Sequence, residues 1–417
     1  MKYLLPLILI ISLLSVFSFS ANHPEKYAAD SPVLPPRVVT IDTDTTYQYL
    51  GHKLEKELLQ KSGCPGAALV IVKDSSIVYI DGFGVRKVNT SDSVDINTIF
   101  RIGSLSKGFA GILTGLMIEK SDINWDSKIQ EHVPEFVLSN DEQASKVEVR
   151  HLLSHTTGLP LHSYTNLLEA GMDINTIMPR LKTVNLIGGE GQIMSYQNVA
   201  FAIVEEVIQS ALNKDFGQLL HDEIFVPANM QRSSCSFDAI ATEDNLAMPH
   251  SWSSKYRKYY STKLNKKYYN APSAGGINTS IADMGEWLQV LLGNRPDIVP
   301  LQVLDSVFAP EVSTTRDRKY FNNWPNVQRS HYAKGWRMVK FDNRTIMHHG
   351  GYVNNYRSEI ALDRENKLGI CVLFNAPTRY ASHVVPTFFS LYDSLATNSP
   401  KDGVQLLGSS LLDVHQN

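Results

Sequence analysis

The sequence predicts an α+β fold in which one antiparallel sheet is built from both ends of the chain and flanked by helices. Strand-like runs joined by short polar turns lie at 66–80 and again at 335–374. Helical patterns with loops dominate the chain between them, and strands are scarce there. We therefore expect a sheet domain made of residues 43–121 and 271–397, with a mostly helical lobe inserted at 122–270.

Each element of the sheet domain follows from its hydrophobic pattern. Apolar residues at helical spacing predict an amphipathic helix at 43–61 that ends at Gly63. The apolar runs 66–72 and 77–80, separated by four polar residues, predict a β-hairpin. Four later runs are typical of an antiparallel meander: 335–340, 344–348, 358–362 and 368–374. A helix at about 381–396 would cover the sheet, and 398–417 would form a tail.

Composition excludes few classes of protein but gives no argument for a nucleic-acid partner. The 417 residues are 43% hydrophobic and 19% charged, with a formal net charge of −3, as in an ordinary globular protein. The three cysteines, Cys64, Cys235 and Cys371, are widely scattered and lack metal-binding spacing. We expect buried free thiols, with one disulfide as the alternative if the protein is exported.

The N-terminus has the pattern of an export signal. A lysine at position 2 precedes an apolar run at 4–19, and small residues follow near position 21. We expect a signal peptide at 1–21, a loose lead-in at 22–42, and a periplasmic or secreted protein. An uncleaved membrane anchor is the alternative, since the run approaches the length that spans a bilayer. No later segment is long and apolar enough to span.

The segment Ser104-Leu105-Ser106-Lys107 begins an apolar, glycine-containing helix that we expect to be buried. Residues three apart lie on one face of a helix, so Ser104 and Lys107 would be neighbours. An unpaired lysine in such surroundings would lose proton affinity and could take part in proton transfer. The alternative for this motif alone is a serine cap followed by a solvated lysine.

Other motifs occur later in the chain. Tyr196-Gln197-Asn198 ends a loop before a helix, and His348-His349-Gly350, followed by Gly351, lies on a predicted strand. His151 and His155 have metal-like spacing, but no glutamate accompanies them as a zinc peptidase requires, so we interpret them as structural. We expect no metal and no cofactor.

Together these motifs resemble those of the penicillin-recognising serine hydrolases, in the branch of class C β-lactamases, D-Ala-D-Ala carboxypeptidases, esterases and D-aminopeptidases. Ser104 and Lys107 match the family's Ser-x-x-Lys motif. Tyr196 and Asn198 match Tyr-x-Asn, and His348 to Gly350 match the third, Lys/His-x-Gly motif. The likeness covers roughly residues 50–392.

The resemblance implies a role for each matched residue. Ser104 would be the nucleophile that forms an acyl-enzyme, with Lys107 sharing its proton. Nearby cations would pull Tyr196 toward the phenolate, so that it acts as general base. The sequence leaves open whether Lys107 or Tyr196 takes the proton. Asn198 would hold a substrate amide, and the N–H groups of Ser104 and Gly351 would form the oxyanion hole.

The third motif departs from the Lys-Thr-Gly of typical class C β-lactamases. His348 replaces the lysine and His349 the hydroxyl residue, although we still expect both, with Gly350, to bind substrate. We expect a monomeric, exported acyl-serine hydrolase that acts on D-Ala-type peptides or β-lactam-like amides. The alternatives are a carboxylesterase or D-aminopeptidase-type amidase, and a non-catalytic binding protein on the same scaffold.

Overall fold

The structure, a computed structural model, describes residues 41–42, 44–314 and 318–398. The predicted signal peptide, nearly all of the lead-in and the tail beyond 398 lie outside these residues. The strands are β1 Gly66–Lys73, β2 Ser76–Gly84, β3 Ile99–Arg101, β4 His250–Ser253, β5 Lys258–Ser261, β6 Asn278–Ser280, β7 Val312–Ser313, β8 Val327–Tyr332, β9 Arg337–Phe341, β10 Arg344–Val353, β11 Tyr356–Asp363 and β12 Leu368–Phe374.

The α-helices are α1 Thr45–Ser62, α2 Ser106–Ile118, α3 Ile129–His132, α4 Asp141–Ala144, α5 Val149–Leu153, α6 Thr165–Glu169, α7 Ile174–Ile177, α8 Asn198–Leu212, α9 Phe216–Leu220, α10 Phe237–Ala241, α11 Pro272–Gly275, α12 Ile281–Leu291, α13 Leu301–Phe308 and α14 Ala381–Asn398. A short 3₁₀ turn, Gly103–Leu105, immediately precedes α2.

The main sheet confirms the predicted α+β class. Its eight strands lie in the order β2-β1-β12-β11-β10-β9-β8-β7, and every neighbouring pair is antiparallel. The early hairpin joins the late meander where β1 pairs with β12, with Val70 opposite Cys371. The two ends of the chain therefore build one sheet.

Helices cover both faces of this sheet. Helices α1 and α14 pack against one face of the sheet. The residues of α1 in this layer are Leu50, Leu54 and Leu58, and alternate residues of β1, all apolar, face them. The other face packs against α2 and α12, whose Phe109 and Trp287 rings stack at 4.0 Å between centroids. This second face is the one that carries the Ser104 segment.

Glycines hold α2 close to the segment that leads into β9. A Cβ on Gly111 would lie 2.2 Å from the backbone oxygen of Lys334. A Cβ on Gly108 would lie 2.5 Å from the ring of Trp336. The helix and this segment are therefore in backbone contact, which fixes the start of α2 against the sheet.

Some strands were not predicted. The helical lobe contains a small hairpin, β4–β5, and the meander begins earlier than expected, with β7 and β8. Four of the six residues of β8 are exposed or only partly buried, so the strand lacks the apolar run by which the other strands were predicted. The boundaries of the two predicted domains stay a prediction.

The described residues also bear on two other expectations. Cys64, Cys235 and Cys371 are free thiols, as expected, and the last two are buried. Within 44–314 and 318–398, no helix has both the length and the hydrophobicity that crossing a bilayer requires.

Replacing Gly111 by alanine tests the close approach of α2. Alanine normally favours a helix by about 1 kcal/mol over glycine. Here the added methyl group overlaps the Lys334 carbonyl, so we expect the free energy of unfolding to fall by about 1–3 kcal/mol. Chemical denaturation measures this change, with Ser210→Ala on the exposed face of α8 as the control. A G111A protein more stable than wild type would contradict the packing.

Candidate active site

Ser104 lies in the 3₁₀ turn Gly103–Leu105, just before α2 rather than within it. Gly103 has a φ of 54°, and a Cβ there would lie 2.9 Å from the backbone of Tyr352 in β10. Glycine is therefore required for the turn, which brings Ser104 beside β10. Lys107 follows in the first turn of α2 and is completely buried.

The amine of Lys107 has three neighbours from separate parts of the chain. Its Nζ lies 2.8 Å from Oδ1 of Asn198 at the start of α8, and 2.6 Å from the backbone oxygen of Ala274 in α11. The third neighbour is Oγ of Ser104 at 3.4 Å. Any residue type could provide this backbone oxygen, so the identity of Ala274 does not by itself predict the contact with Lys107.

Burial, reinforced by the positive charge of nearby Arg337, holds the pKa of Lys107 well below the usual value for lysine. A neutral amine has two N–H donors and one lone pair. Asn198 and Ala274 accept the two donors, so the lone pair is directed at the hydroxyl of Ser104. This arrangement suits proton transfer from Ser104 to Lys107.

Tyr196 lies against the same amine. Lys107 Nζ is 4.8 Å from the centroid of the Tyr196 ring, and the Tyr196 hydroxyl shares a hydrogen bond with Ser104. We expected cations to favour the phenolate, but burial outweighs both the Ser104 bond and the charge of Arg337, and raises the pKa of Tyr196. Tyr196 is therefore a neutral phenol that can donate a proton.

His349 faces the site, but both of its ring nitrogens are hydrogen bonded within the protein. Its Nδ1 lies 2.9 Å from the oxygen of Gly350, and its Nε2 lies 3.0 Å from the Tyr332 hydroxyl. That hydroxyl also contacts Nε2 of His155 at 3.2 Å, while Nδ1 of His155 accepts the N–H of Gln197. These bonds assign one tautomer to each ring, and burial lowers the pKa of both histidines well below the usual value.

His155 therefore has a supporting role, as expected for a structural histidine. Its ring packs 4.3 Å from the ring of Tyr196, centroid to centroid. The other histidine of this pair, His151, accepts the N–H of Glu148 at its own helix start. Both ring nitrogens of His349 are bonded within the protein, and its contact with substrate stays a prediction.

His348 points away from Ser104, on the opposite side of β10 from His349. Its Nε2 lies 2.7 Å from Glu359, whose carboxylate also pairs with Arg357. Its ring centroid is 5.0 Å from that of Trp324, and the side chain is 1% exposed. Strand alternation places only one of two adjacent residues at the site, so this geometry does not support substrate binding by His348, which stays a prediction.

The turn after β10 determines which backbone N–H groups face the site. Asn354 and Asn355 form a two-residue turn with φ values of 45° and 66°, typical of a type I′ hairpin. The closing pair of such a hairpin is hydrogen bonded, and so is every second pair before it. Gly351, paired with Ser358, therefore directs its N–H to β11 rather than to the site.

Tyr352 has the N–H that faces the open edge of β10. The neighbouring strand β9 pairs with β10 only as far as His348, so this edge is free beside Tyr352. The Tyr352 nitrogen also lies against Gly103, next to Ser104. Tyr352 thus replaces Gly351 as the candidate oxyanion donor, while Gly350 and Gly351 provide close packing, since a Cβ on Gly351 would lie 2.0 Å from the Ile102 oxygen.

Arg337, at the start of β9, is a further cation at the site. Cζ of its guanidinium lies 3.8 Å from the centroid of the Tyr320 ring and 5.7 Å from the centroid of the Tyr196 ring. It is 9% exposed, and among the described residues no carboxylate lies within ion-pair distance of it. In the sequence, Arg337 lies within an ordinary strand pattern and belongs to none of the three motifs, so it was not predicted as a site residue.

Comparisons with known proteins identify relatives of this chain. An unguisins hydrolase of Aspergillus campestris is 24% identical over 343 residues, which cover 80% of this chain and 62% of the relative. Protein flp of Staphylococcus aureus is 24% identical over 352 residues, which cover 82% of this chain and 66% of that protein. The chain thus spans about three fifths to two thirds of the length of these relatives.

A solved structure shows the same fold. The octameric penicillin-binding protein homologue from Pyrococcus abyssi superposes with a TM-score of 0.70 at 20% identity, over 84% of this chain and 78% of that one. A family model described as Beta-lactamase matches residues 52–387, which include every matched motif. The chain therefore belongs to the beta-lactamase family.

Proposed function

We propose that this serine hydrolase forms an acyl-enzyme at Ser104 and acts on amides that carry a free carboxylate, such as D-Ala-type peptides or β-lactams. The observation that supports this most directly is the amine of Lys107. It is buried, held by Asn198 and Ala274, and directed at the Ser104 hydroxyl. Such an amine can activate a serine without a histidine.

In the acylation step, Oγ of Ser104 bonds to the substrate carbonyl carbon and its proton moves to Nζ of Lys107. The negative charge that develops on the carbonyl oxygen is held by the N–H groups of Ser104 and Tyr352. When the carbon–nitrogen bond breaks, Tyr196 donates its proton to the leaving nitrogen and regains one from Lys107. The high pKa of Tyr196 keeps that proton available.

In the second step, water adds to the acyl carbon and gives a proton to the neutral amine of Lys107. The bond between the carbon and Ser104 Oγ then breaks, and Lys107 returns the proton to Oγ. The acid product leaves and Ser104 is regenerated. One base thus serves both steps, and in this proposal that base is Lys107 rather than Tyr196.

Arg337 supports the preference for a carboxylate. The histidines of the third motif are bonded within the protein, so neither offers a cation to substrate. Arg337 lies beside Tyr196, and guanidinium groups bind carboxylates through paired hydrogen bonds. A substrate carboxylate would supply the partner that this side chain lacks among the described residues.

A carboxylesterase is the second candidate. It is favoured by the loss of the lysine and hydroxyl residue from the third motif, since simple esters need neither. The fungal relative's name as a hydrolase of unguisins is compatible with either chemistry. A non-catalytic role is disfavoured, because Ser104, Lys107 and Tyr196 retain their mutual contacts.

Export and a monomeric state remain part of the proposal. Export is supported by the basic start, apolar run and small residues at 1–21. The homologue from Pyrococcus abyssi is described as octameric, so sedimentation is the measurement that decides the oligomeric state here.

Intact-mass analysis after incubation with a penicillin and a p-nitrophenyl ester tests the nucleophile. We expect the wild-type protein to gain the mass of one acyl group and S104A to gain none. Ser106→Ala is the matched control, because its hydroxyl bonds to the Ile277 N–H rather than to Lys107. An adduct that persists in S104A, or a wild-type protein that never reacts with either compound, would contradict the proposal.

The pH dependence of acylation tests Lys107 as the base. Because burial lowers the pKa of Lys107, the rate should rise with pH as the amine loses its proton and level off well below the lysine value of about 10.4. As pH falls through the lowered pKa, Lys107 gains a proton and activity is lost.

The Lys107→Arg variant, which stays protonated, should lose a factor of about 10²–10⁴ in acylation rate. Stopped-flow acylation across the pH range measures both effects. A profile that K107R leaves unchanged would assign the base to another group.

Changing Arg337 to glutamine tests the substrate preference. We expect kcat/KM for a carboxylate-bearing amide to fall by about 10- to 100-fold, the effect of losing hydrogen bonds to a charged group. A neutral ester should change by less than about threefold when compared at the plateau of each pH profile. Arg329→Gln, on the exposed part of β8, is the control. Equal losses for both substrates would exclude carboxylate recognition by Arg337.

A further inference from the structure

A line of hydrogen bonds connects the amine of Lys107 to a carboxylate near the surface. Beyond Asn198, which accepts from Lys107, the amide nitrogen Nδ2 lies 2.8 Å from the hydroxyl of Tyr268. That hydroxyl lies 2.9 Å from Oε1 of Glu169 in α6. The second oxygen of Glu169 accepts from Lys267 at 2.7 Å. None of these outer residues belongs to the three motifs.

The direction of each bond follows from its chemistry. A carboxylate only accepts, so the Tyr268 hydroxyl donates to Glu169 and its oxygen accepts from Asn198. Burial and the charge of Glu169 raise the pKa of Tyr268, so the hydroxyl keeps its proton. The amide of Asn198 is therefore held with its nitrogen toward Tyr268 and its oxygen toward Lys107.

The backbone around Tyr268 is shaped to hold this ring. Tyr268 has a φ of 69°, a conformation that residues with a side chain adopt rarely and at a free-energy cost. A Cβ on Gly276 would lie 2.4 Å from the backbone oxygen of Tyr268, and a Cβ on Gly275 would lie 3.2 Å from the Tyr268 ring. The glycine pair that follows Ala274 thus makes room for Tyr268 beside the site.

We propose that Tyr268, anchored by Glu169, is a positioning residue that fixes the orientation of the Asn198 amide and thereby directs the lone pair of Lys107 at Ser104. This inference rests on the proposed function, in which Lys107 is the base. Tyr268 touches neither substrate nor the reacting atoms, and acts only through Asn198.

Removing the hydroxyl has a specific consequence. In Tyr268→Phe, the Asn198 nitrogen loses its acceptor and the amide is free to turn its nitrogen toward Lys107. The Lys107 lone pair then accepts from Asn198 instead of from the Ser104 hydroxyl, and a protonated Lys107 loses an acceptor. The rate at the plateau falls, and the acid limb of the pH profile moves to lower pH.

Other groups that face Lys107 would not produce this shift. The pKa values of His155, His162 and His349 are lowered and that of Tyr196 is raised, and the charge of Arg337 is the same in wild type and variant. None of these groups bonds to Tyr268. A lower stability alone would reduce the amount of active protein without moving the limb.

The experiment measures the second-order rate of labelling of Ser104 by a fluorophosphonate from pH 4 to 11. In this reaction Oγ bonds to phosphorus, fluoride leaves and Lys107 takes the proton, so no natural substrate is needed. We expect Tyr268→Phe to lower the plateau by about tenfold, the effect of one hydrogen bond. We also expect its acid limb to lie at lower pH than that of wild type.

Tyr269→Phe is the matched control, because the hydroxyl of this adjacent tyrosine bonds to Asn278 and not to Asn198. Its plateau rate and the position of its acid limb should be those of the wild-type protein. Glu169→Ala, a change nearer the surface, removes the anchor without touching Tyr268. Glu169→Ala should also move the acid limb to lower pH, with a smaller loss of plateau rate than Tyr268→Phe. It replaces Tyr268→Phe as the test if circular dichroism shows that Tyr268→Phe does not fold.

The possible results distinguish a failure of the proposed function from a failure of the positioning role of Tyr268. A wild-type protein that is not labelled at Ser104 overturns the proposed function itself. A wild-type protein labelled at Ser104, with profiles of folded Tyr268→Phe and Glu169→Ala that superpose on it, overturns the positioning role alone. A lower plateau with an unmoved limb in both variants also overturns it.

Discussion

The site depends on one buried amine that is held in place by parts of the chain far apart in sequence. Lys107 comes from α2, while Asn198 and Ala274 approach it from α8 and α11. Neither of these contacts neutralises a charge, so burial favours the neutral amine, and the two oxygens determine where the lone pair of that form points. The glycine face of α2 and the close packing behind it hold this geometry together.

The remaining polar groups keep the surroundings of the amine neutral. His155 and His349 have fixed tautomers through Tyr332, and Tyr196 stays protonated. Arg337 is the exception, and its charge further lowers the pKa of Lys107. The charge of Arg337 thus favours a neutral amine, and in the proposed function the same side chain also binds the substrate carboxylate.

Much of the fold and the inner part of the site could be predicted from sequence. Alternating and helical patterns identified the hairpin, the meander and α2, and two short motifs identified Ser104 and Tyr196. The orientation of the third motif on its strand could not be predicted in this way. Which of His348 and His349 faces the site depends on the strand's orientation, and which N–H is free depends on the turn at Asn354 and on where β9 ends. Arg337 and Tyr268 lie in the site only because of tertiary packing, and no local pattern marks them.

The burial of Lys107 also affects the folded state as a whole. In the unfolded chain this lysine regains its ordinary pKa, so between the lowered value and about 10.4 the unfolded chain binds more protons than the folded chain. The contribution of Lys107 to the free energy of unfolding therefore becomes less favourable as pH falls through this interval. Burial of this amine therefore lowers the resistance of the fold to denaturation, and unfolding within this pH interval takes up a proton from the solvent.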